Sequence, residues 1–111
     1  METITWNDFE KVTMRIGTII EVKPFVGAKK PAYQLLIDFG EFGIKKSSAQ
    51  ITQHYDENSL IGKQIIAVTN FPIKQIANFF SEVLVLGGVL DDKSVILISP
   101  DKKIPNGTII A

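Results

Sequence analysis

The side chains best placed for chemistry here are hydrogen-bond donors and aromatic rings, with no reaction obviously assigned to them. Lys45, Lys46, Ser47 and Ser48 follow one another directly. Ammonium and hydroxyl donors in one run suit a phosphodiester backbone, whose oxygens only accept. The same four residues also suit a solvated strand end, and residue type alone leaves both readings open. Phe71, Phe79 and Phe80 surround Lys74 and Gln75, in a stretch from Lys63 to Ser81 that holds two lysines and no acid. Aromatic rings beside cations hold single-stranded bases and their phosphates. The plainer alternative is that the rings fill a core or a contact between copies. Alternation within a strand favours that plainer reading, core or contact, for Phe71, whereas Phe79 and Phe80 point apart as sequence neighbours, so one of them reaches a surface.

The groups that could catalyse are scattered. His54 is the only histidine, and its neighbours Gln53 and Tyr55 supply neither nucleophile nor carboxylate, so it reads as a surface histidine. One histidine does not make a metal site of the common kind. Gly87-Gly88 matches neither the Walker pattern nor GxGxxG and reads as a bend or bulge at a strand end. The pairs Asp56-Glu57 and Asp91-Asp92 sit in turn-like, polar contexts where solvated charge is expected. The expectation is a binding module, not an enzyme, with no cofactor and no metal.

These side chains need elements to hold them. Thr5 ahead of Asp8 and Phe9 predicts a short capped helix over Trp6–Lys11. In Met14–Pro24, Ile16, Thr18, Ile20 and Val22 alternate with Arg15, Gly17, Ile19 and Glu21, a half-buried strand with Ile19 as its apolar exception and Gly17 as a bulge or bend. A loop over Phe25–Pro31 leads to a strand at Ala32–Phe39, a tight turn at Gly40–Gly43 and a strand at Ile44–Ser48. Ala49–Leu60 fits a short helix, Gln64–Phe71 a strand ended by Pro72, and Pro72–Phe80 a loop or helical turn. Ser81–Val89 and Ser94–Ser99 pair as a hairpin, and Thr108–Ile110 is a last short strand. Five to six strands with a short N-terminal helix and one small helix after the third strand is the layout of an all-β OB-fold barrel.

Bulk composition narrows the class. With 111 residues, 45% hydrophobic and 22% charged, the chain fits one domain, 1–111, with a small core that a partner subunit could supplement. Cysteine is absent, which excludes disulfides and thiolate chemistry. No basic n-region opens the chain and no apolar run approaches the roughly 18 residues of a membrane span, so a cytoplasmic protein without membrane insertion is expected. Twelve basic residues balance twelve acidic ones, yet Lys23–Lys46 holds five lysines against two acids, so a neutral chain can still carry a basic face.

Three stretches carry a family resemblance. IKKSSAQIT (Ile44–Thr52), VTNFPIKQIANFFSEVLVLGG (Val68–Gly88) and PNGT (Pro105–Thr108) together resemble the CsaA family, whose members are described as cytoplasmic, tRNA-binding, export-related chaperones. DFEKVTMRIGTI (Asp8–Ile19) resembles the opening of the wider tRNA-binding domain attached to some aminoacyl-tRNA synthetases. The resemblance implies an OB-fold homodimer built through the N-terminal segment and C-terminal strands. It implies two kinds of partner, tRNA and unfolded or export-bound polypeptide. By position it makes Lys45, Lys46, Ser47, Ser48, Asn70, Lys74 and Ser81 the tRNA-facing residues and Phe71, Phe79 and Phe80 the peptide-facing ones. The chain departs from the family at Gln75, Asn78 and Phe80, where relatives carry a cation, a glycine and a lysine. The loop therefore has less charge and one more ring. Each lost phosphate contact lowers the salt sensitivity of binding by about one unit of slope, so holding of unfolded polypeptide with weak or absent tRNA binding is the alternative reading.

Overall fold

Strand β1, Met14–Pro24, organises the rest. A computed structural model describes residues 1–111. In it β1 pairs antiparallel with β4 (Gln64–Val68) through Met14–Thr18 and with β2 (Tyr33–Asp38) through Thr18–Pro24. One long strand serves two neighbours because it bends. The register steps from Ile19↔Ile37 to Glu21↔Leu36, leaving Ile20 as an extra residue. That bulge reverses the expected alternation: Ile19 is fully buried and Ile20 is 42% exposed. Gly17 is therefore not the bulge. A Cβ there would stand 2.6 Å from Ile37 Cγ2 and 2.7 Å from the Phe39 ring, so the glycine admits core side chains close to the backbone.

β3 (Ile44–Ala49) pairs antiparallel with β2, and β7 (Leu84–Val85) pairs with β4, giving the sheet order β3-β2-β1-β4-β7. The ends of this sheet meet. Only one backbone bond crosses the seam, from Glu82 N to Lys46 O at 2.8 Å. Side-chain oxygens supply the remaining contacts: Lys46 N donates to Glu82 Oε1 at 3.0 Å, Ser48 N to Ser81 Oγ at 3.1 Å, and Ser47 Oγ to Val83 O at 3.0 Å. The result is the nearly closed five-stranded OB-fold barrel that the sequence predicts. Ile19, Leu35, Ile37, Phe39, Leu60, Ile65 and Ala67, each at most 1% exposed, fill it. Burying each of the larger ones contributes about 1.5–3 kcal/mol.

The helices follow local chemistry. α1 (Trp6–Glu10) has the Thr5/Asp8 capping box, with Lys11 as its C-cap, and buries none of its own residues. α2 is only Glu57–Leu60, capped by Asp56, and seats Leu60 in the barrel. It is shorter than the expected Ala49–Leu60 because Tyr55 serves as a cross-link. Its carbonyl accepts from Tyr33 OH at 2.8 Å and its hydroxyl accepts from Leu97 N at 3.0 Å. Pro72–Phe80, expected as a loop or helical turn, is instead a β-hairpin of β5 (Lys74–Ile76) and β6 (Phe79–Ser81). Ala77 at its tip takes φ 52, a conformation that residue type does not announce. β8 (Gly87–Val89) and β9 (Val95–Leu97) form a further hairpin. The chain end lies along β1 through the bridge Arg15↔Ile109, with Ile110 N donating to Met14 O at 2.9 Å.

Candidate nucleic-acid interface

Strand alternation decides which side chains share the outer face of β1, β2 and β3. Leu35 and Ile37 point into the barrel, so Gln34 and Leu36 between and beside them point out. The register sets Leu36 opposite both Glu21 and Lys46, and Gln34 opposite both Lys23 and Ser48. Two rows therefore cross the face, Glu21–Leu36–Lys46 and Lys23–Gln34–Ser48. The loop Phe25–Pro31 borders one side with exposed Lys29 and Lys30. The β5–β6 hairpin borders the face as well, in contact with that loop through Phe79 and Phe25. Lys46 Nζ lies 5.4 Å from the Phe79 ring centroid and 5.9 Å from that of Phe80. Phe79 rests edge-to-face on Phe25, with centroids 5.4 Å apart, which fixes its position. Phe80 is 47% exposed, so one ring of the pair does reach the surface. A recess of about 220 Å³ opens among Glu21, Lys23, Gln34, Leu36, Lys46 and Phe79. Cations with aromatic planes beside a shallow sheet can hold phosphates and stack bases.

The alternation also divides the Lys-Lys-Ser-Ser run. Lys46 and Ser48 lie on the outer face. Lys45 and Ser47 lie on the other side of β3, opposite the inward-pointing Ile37 and Leu35. Ser47 is fully buried and donates its hydroxyl to Val83 O, which corrects its expected place on a ligand-facing surface. Lys45 is half-buried at the edge of the barrel, away from the Lys46 side. Asn70 accepts from Thr13 N at 2.9 Å and donates to Lys11 O at 2.7 Å, so its amide ties the end of α1 to the turn after β4. Ser81 Oγ is taken up in the seam. Lys74 is exposed on β5, directly across from Ser81.

The three phenylalanines do not form one site. Phe79 and Phe80 stand with Lys46. Phe71 lines a separate apolar cleft of about 390 Å³ with Pro72, Ile73, Lys74, Val83 and Leu84. Phe71 is 53% exposed, so of the two plainer readings, core or contact between copies, the core is excluded. β4 ends at Val68, so Phe71 lies beyond the strand whose alternation suggested burial. Glu21, Lys23, Gln34 and Leu36 were absent from the residues expected at the site. Their signal is the cross-strand register, which joins positions up to twenty-five residues apart in sequence (Glu21 and Lys46).

His54 is exposed, as expected, but it has a partner. Its Nε2 lies 2.8 Å from Ser94 Oγ, and Ser94 donates from both its hydroxyl and its backbone N–H to Asp92 Oδ1. These two bonds hold the Asp92 carboxyl below its ordinary value. The serine sits in the middle of the chain of bonds and is 1% exposed, so the arrangement pins the β8–β9 turn to the segment before α2 and offers no nucleophile. No three His, Cys, Asp or Glu side chains converge as a metal site would require.

Comparison with known proteins identifies the family. Residues 14–109 match the family model described as "Putative tRNA binding domain". The methionine–tRNA ligase of Methanococcoides burtonii is 33% identical over 109 residues, 98% of this chain, and the chain spans only 16% of that ligase's length. Among solved structures, the chaperone CsaA of Bacillus anthracis superposes with a TM-score of 0.95 at 50% identity, covering 99% of this chain and 100% of that one. The CsaA chaperone protein of Picrophilus torridus does so with a TM-score of 0.91 at 56% identity, covering 98% and 100%. The chain belongs to the tRNA-binding-domain family and, within it, to the CsaA group.

Proposed function

We propose that the chain works as a single tRNA-binding OB-fold module, gripping folded RNA through the outer face of β1–β3 and the rim of the β5–β6 hairpin. The observation that carries this is the position of Lys46, within 6 Å of both the Phe79 and the Phe80 rings on a face that also presents Lys23 and Ser48. Lys29, Lys30 and Lys74 extend the positive rim. Contacts of this kind go to backbone and shape, which is how folded RNA is recognised. The test is a titration of bulk tRNA at low and near-physiological salt with single-stranded DNA as competitor. Micromolar or tighter binding that weakens steeply with salt supports the proposal. No binding even at low salt removes it.

The apolar cleft beside Phe71 favours a second activity on the same molecule. Phe71, Ile73 and Leu84 are 53%, 61% and 48% exposed around it, more apolar surface than a solvated turn requires. We infer that it holds extended apolar polypeptide, in keeping with the description of the CsaA proteins as chaperones, in a cytoplasmic, export-related role. Suppression of aggregation of an unrelated client, lost in Phe71→Ser, checks this. If tRNA binding fails, polypeptide holding becomes the primary function. A homodimer completes the proposal: Trp6 and Ile4, 82% and 63% exposed, line an apolar recess with Phe9 beside the chain's C-terminus.

A further inference from the structure

The recess on the outer face contains a carboxylate, and a surface built only to hold phosphates has no use for one. Glu21 stands in one of the two rows of the face, opposite Leu36 and with β2 between it and Lys46. A carboxylate there repels every phosphate that Lys23 and Lys46 attract. Its Oε1 meets Lys23 Nζ at 3.0 Å, with the glutamate side chain 43% and the lysine side chain 67% exposed. An exposed pair of that kind contributes little to stability. The pairing engages one carboxylate oxygen, Oε1, and Glu21 is among the residues that line the recess.

We propose that this recess takes one unstacked nucleobase that bears an exocyclic amine, with Glu21 accepting from the amine. The inference rests on the nucleic-acid reading of the face and deepens it from shape recognition to recognition of a base. Three features fit. The recess is about 220 Å³, room for one base. One wall is the Phe79 ring, held by Phe25, and a fixed ring is a stacking surface for any base. The floor is apolar at Leu36 and flanked by the Gln34 amide, which can donate or accept beside the carboxylate. Lys23 and Lys46 border the recess, where the phosphates of an inserted nucleotide would pass. Carboxylates read cytosine by accepting from its N4 amine, and uracil presents a carbonyl oxygen at that position, which a carboxylate repels.

The test compares fluorescein-labelled oligoribonucleotides of eight cytidines and eight uridines, which match in length and charge and differ at C4, amine against carbonyl, and in the hydrogen that uracil carries on N3. The full-length protein should bind the cytidine strand about fivefold or more tightly than the uridine strand. In Glu21→Gln, whose amide both donates and accepts, the ratio should fall towards one even as removal of a negative charge raises affinity for both. Lys46→Gln should weaken both strands and keep the ratio. Equal affinities in the parent protein, with tRNA still bound, overturn the base-reading role and leave the proposed function standing. A cytidine preference that survives in Glu21→Gln overturns the assignment to this carboxylate. Loss of all binding, tRNA included, refutes the proposed function itself and the inference with it.

Discussion

Replacing Lys46 and Lys45 in turn separates a specific face from general positive charge, because the two lysines are neighbours on opposite sides of β3. Removing one phosphate contact lowers the slope of log K against log salt by about 0.7 for single strands and about 0.9 for duplex. If the contact acts through counterion release alone, Lys46→Gln weakens tRNA binding about 5- to 8-fold at 0.1 M salt and about 3- to 4-fold at 0.2 M. Stability should change little. The Lys46 backbone bonds to Glu82 remain in the variant, and the loss of a half-buried cation at 5.4 and 5.9 Å from two rings costs about 1 kcal/mol. Lys45→Gln removes the same formal charge from the other side of the strand and should change the slope by less than half as much. The assay is fluorescence anisotropy with labelled tRNA over a series of salt concentrations, with a thermal melt of each variant as a control. Equal slopes for the two variants, or a larger effect at Lys45, would refute the placement of the ligand on the outer face.

Gly17→Ala should destabilise the protein by about 1–3 kcal/mol, because its methyl would enter at 2.6 Å from Ile37 Cγ2 in a filled core. For a domain of this size a thermal melt should fall by about 4 °C for each kcal/mol. Asp92→Asn should lose stability in a pH-dependent way. The folded Asp92 carboxyl titrates below its ordinary 3.8, so its contribution is present above that value and is lost as the pH falls through the folded value. Denaturant midpoints of parent and variant should therefore differ at neutral pH and converge under strongly acidic conditions; a gap that persists there would show that Asp92 acts otherwise. Trp6→Ser should convert a dimer into a monomer in sedimentation velocity while the barrel still melts cooperatively, and a parent protein already monomeric at micromolar concentration would remove that expectation.

The parts of this molecule that could be read from sequence are those fixed by neighbouring residues. Thr5 and Asp8 satisfy each other's backbone within one turn, so α1 can be placed from four letters. Met14–Pro24 is extended because its composition allows little else, and both ends are found correctly. Its facing is another matter. The bulge at Ile20 arises from how β1 must bend to reach both β2 and β4, and no local signal separates Ile19 from Ile20. The same limit governs the candidate site. Lys46 and Ser48 could be proposed from the run of donors, but only the register with Leu36 and Gln34 removes Ser47 and Lys45 and brings in Glu21 and Lys23. The β5–β6 hairpin was missed because an alanine at its tip hides the turn that a glycine would have marked.

The seam between β3 and the Ser81–Val83 segment has a dynamic consequence. Elsewhere in the barrel an amide is protected by a continuous backbone ladder, and exposing it means separating two strands. At Lys46 and Ser48 the acceptors are the flexible ends of Glu82 and Ser81, which can rotate away while the backbone holds its course. Hydrogen exchange at these two amides should therefore run ahead of exchange in β1 and β2, although all belong to one sheet. When the seam parts, Phe79 leaves Lys46, because the hairpin that carries the ring begins the segment that moves. A ligand bound across both would hold the barrel shut, so protection of these two amides measures occupancy of the face from inside the fold.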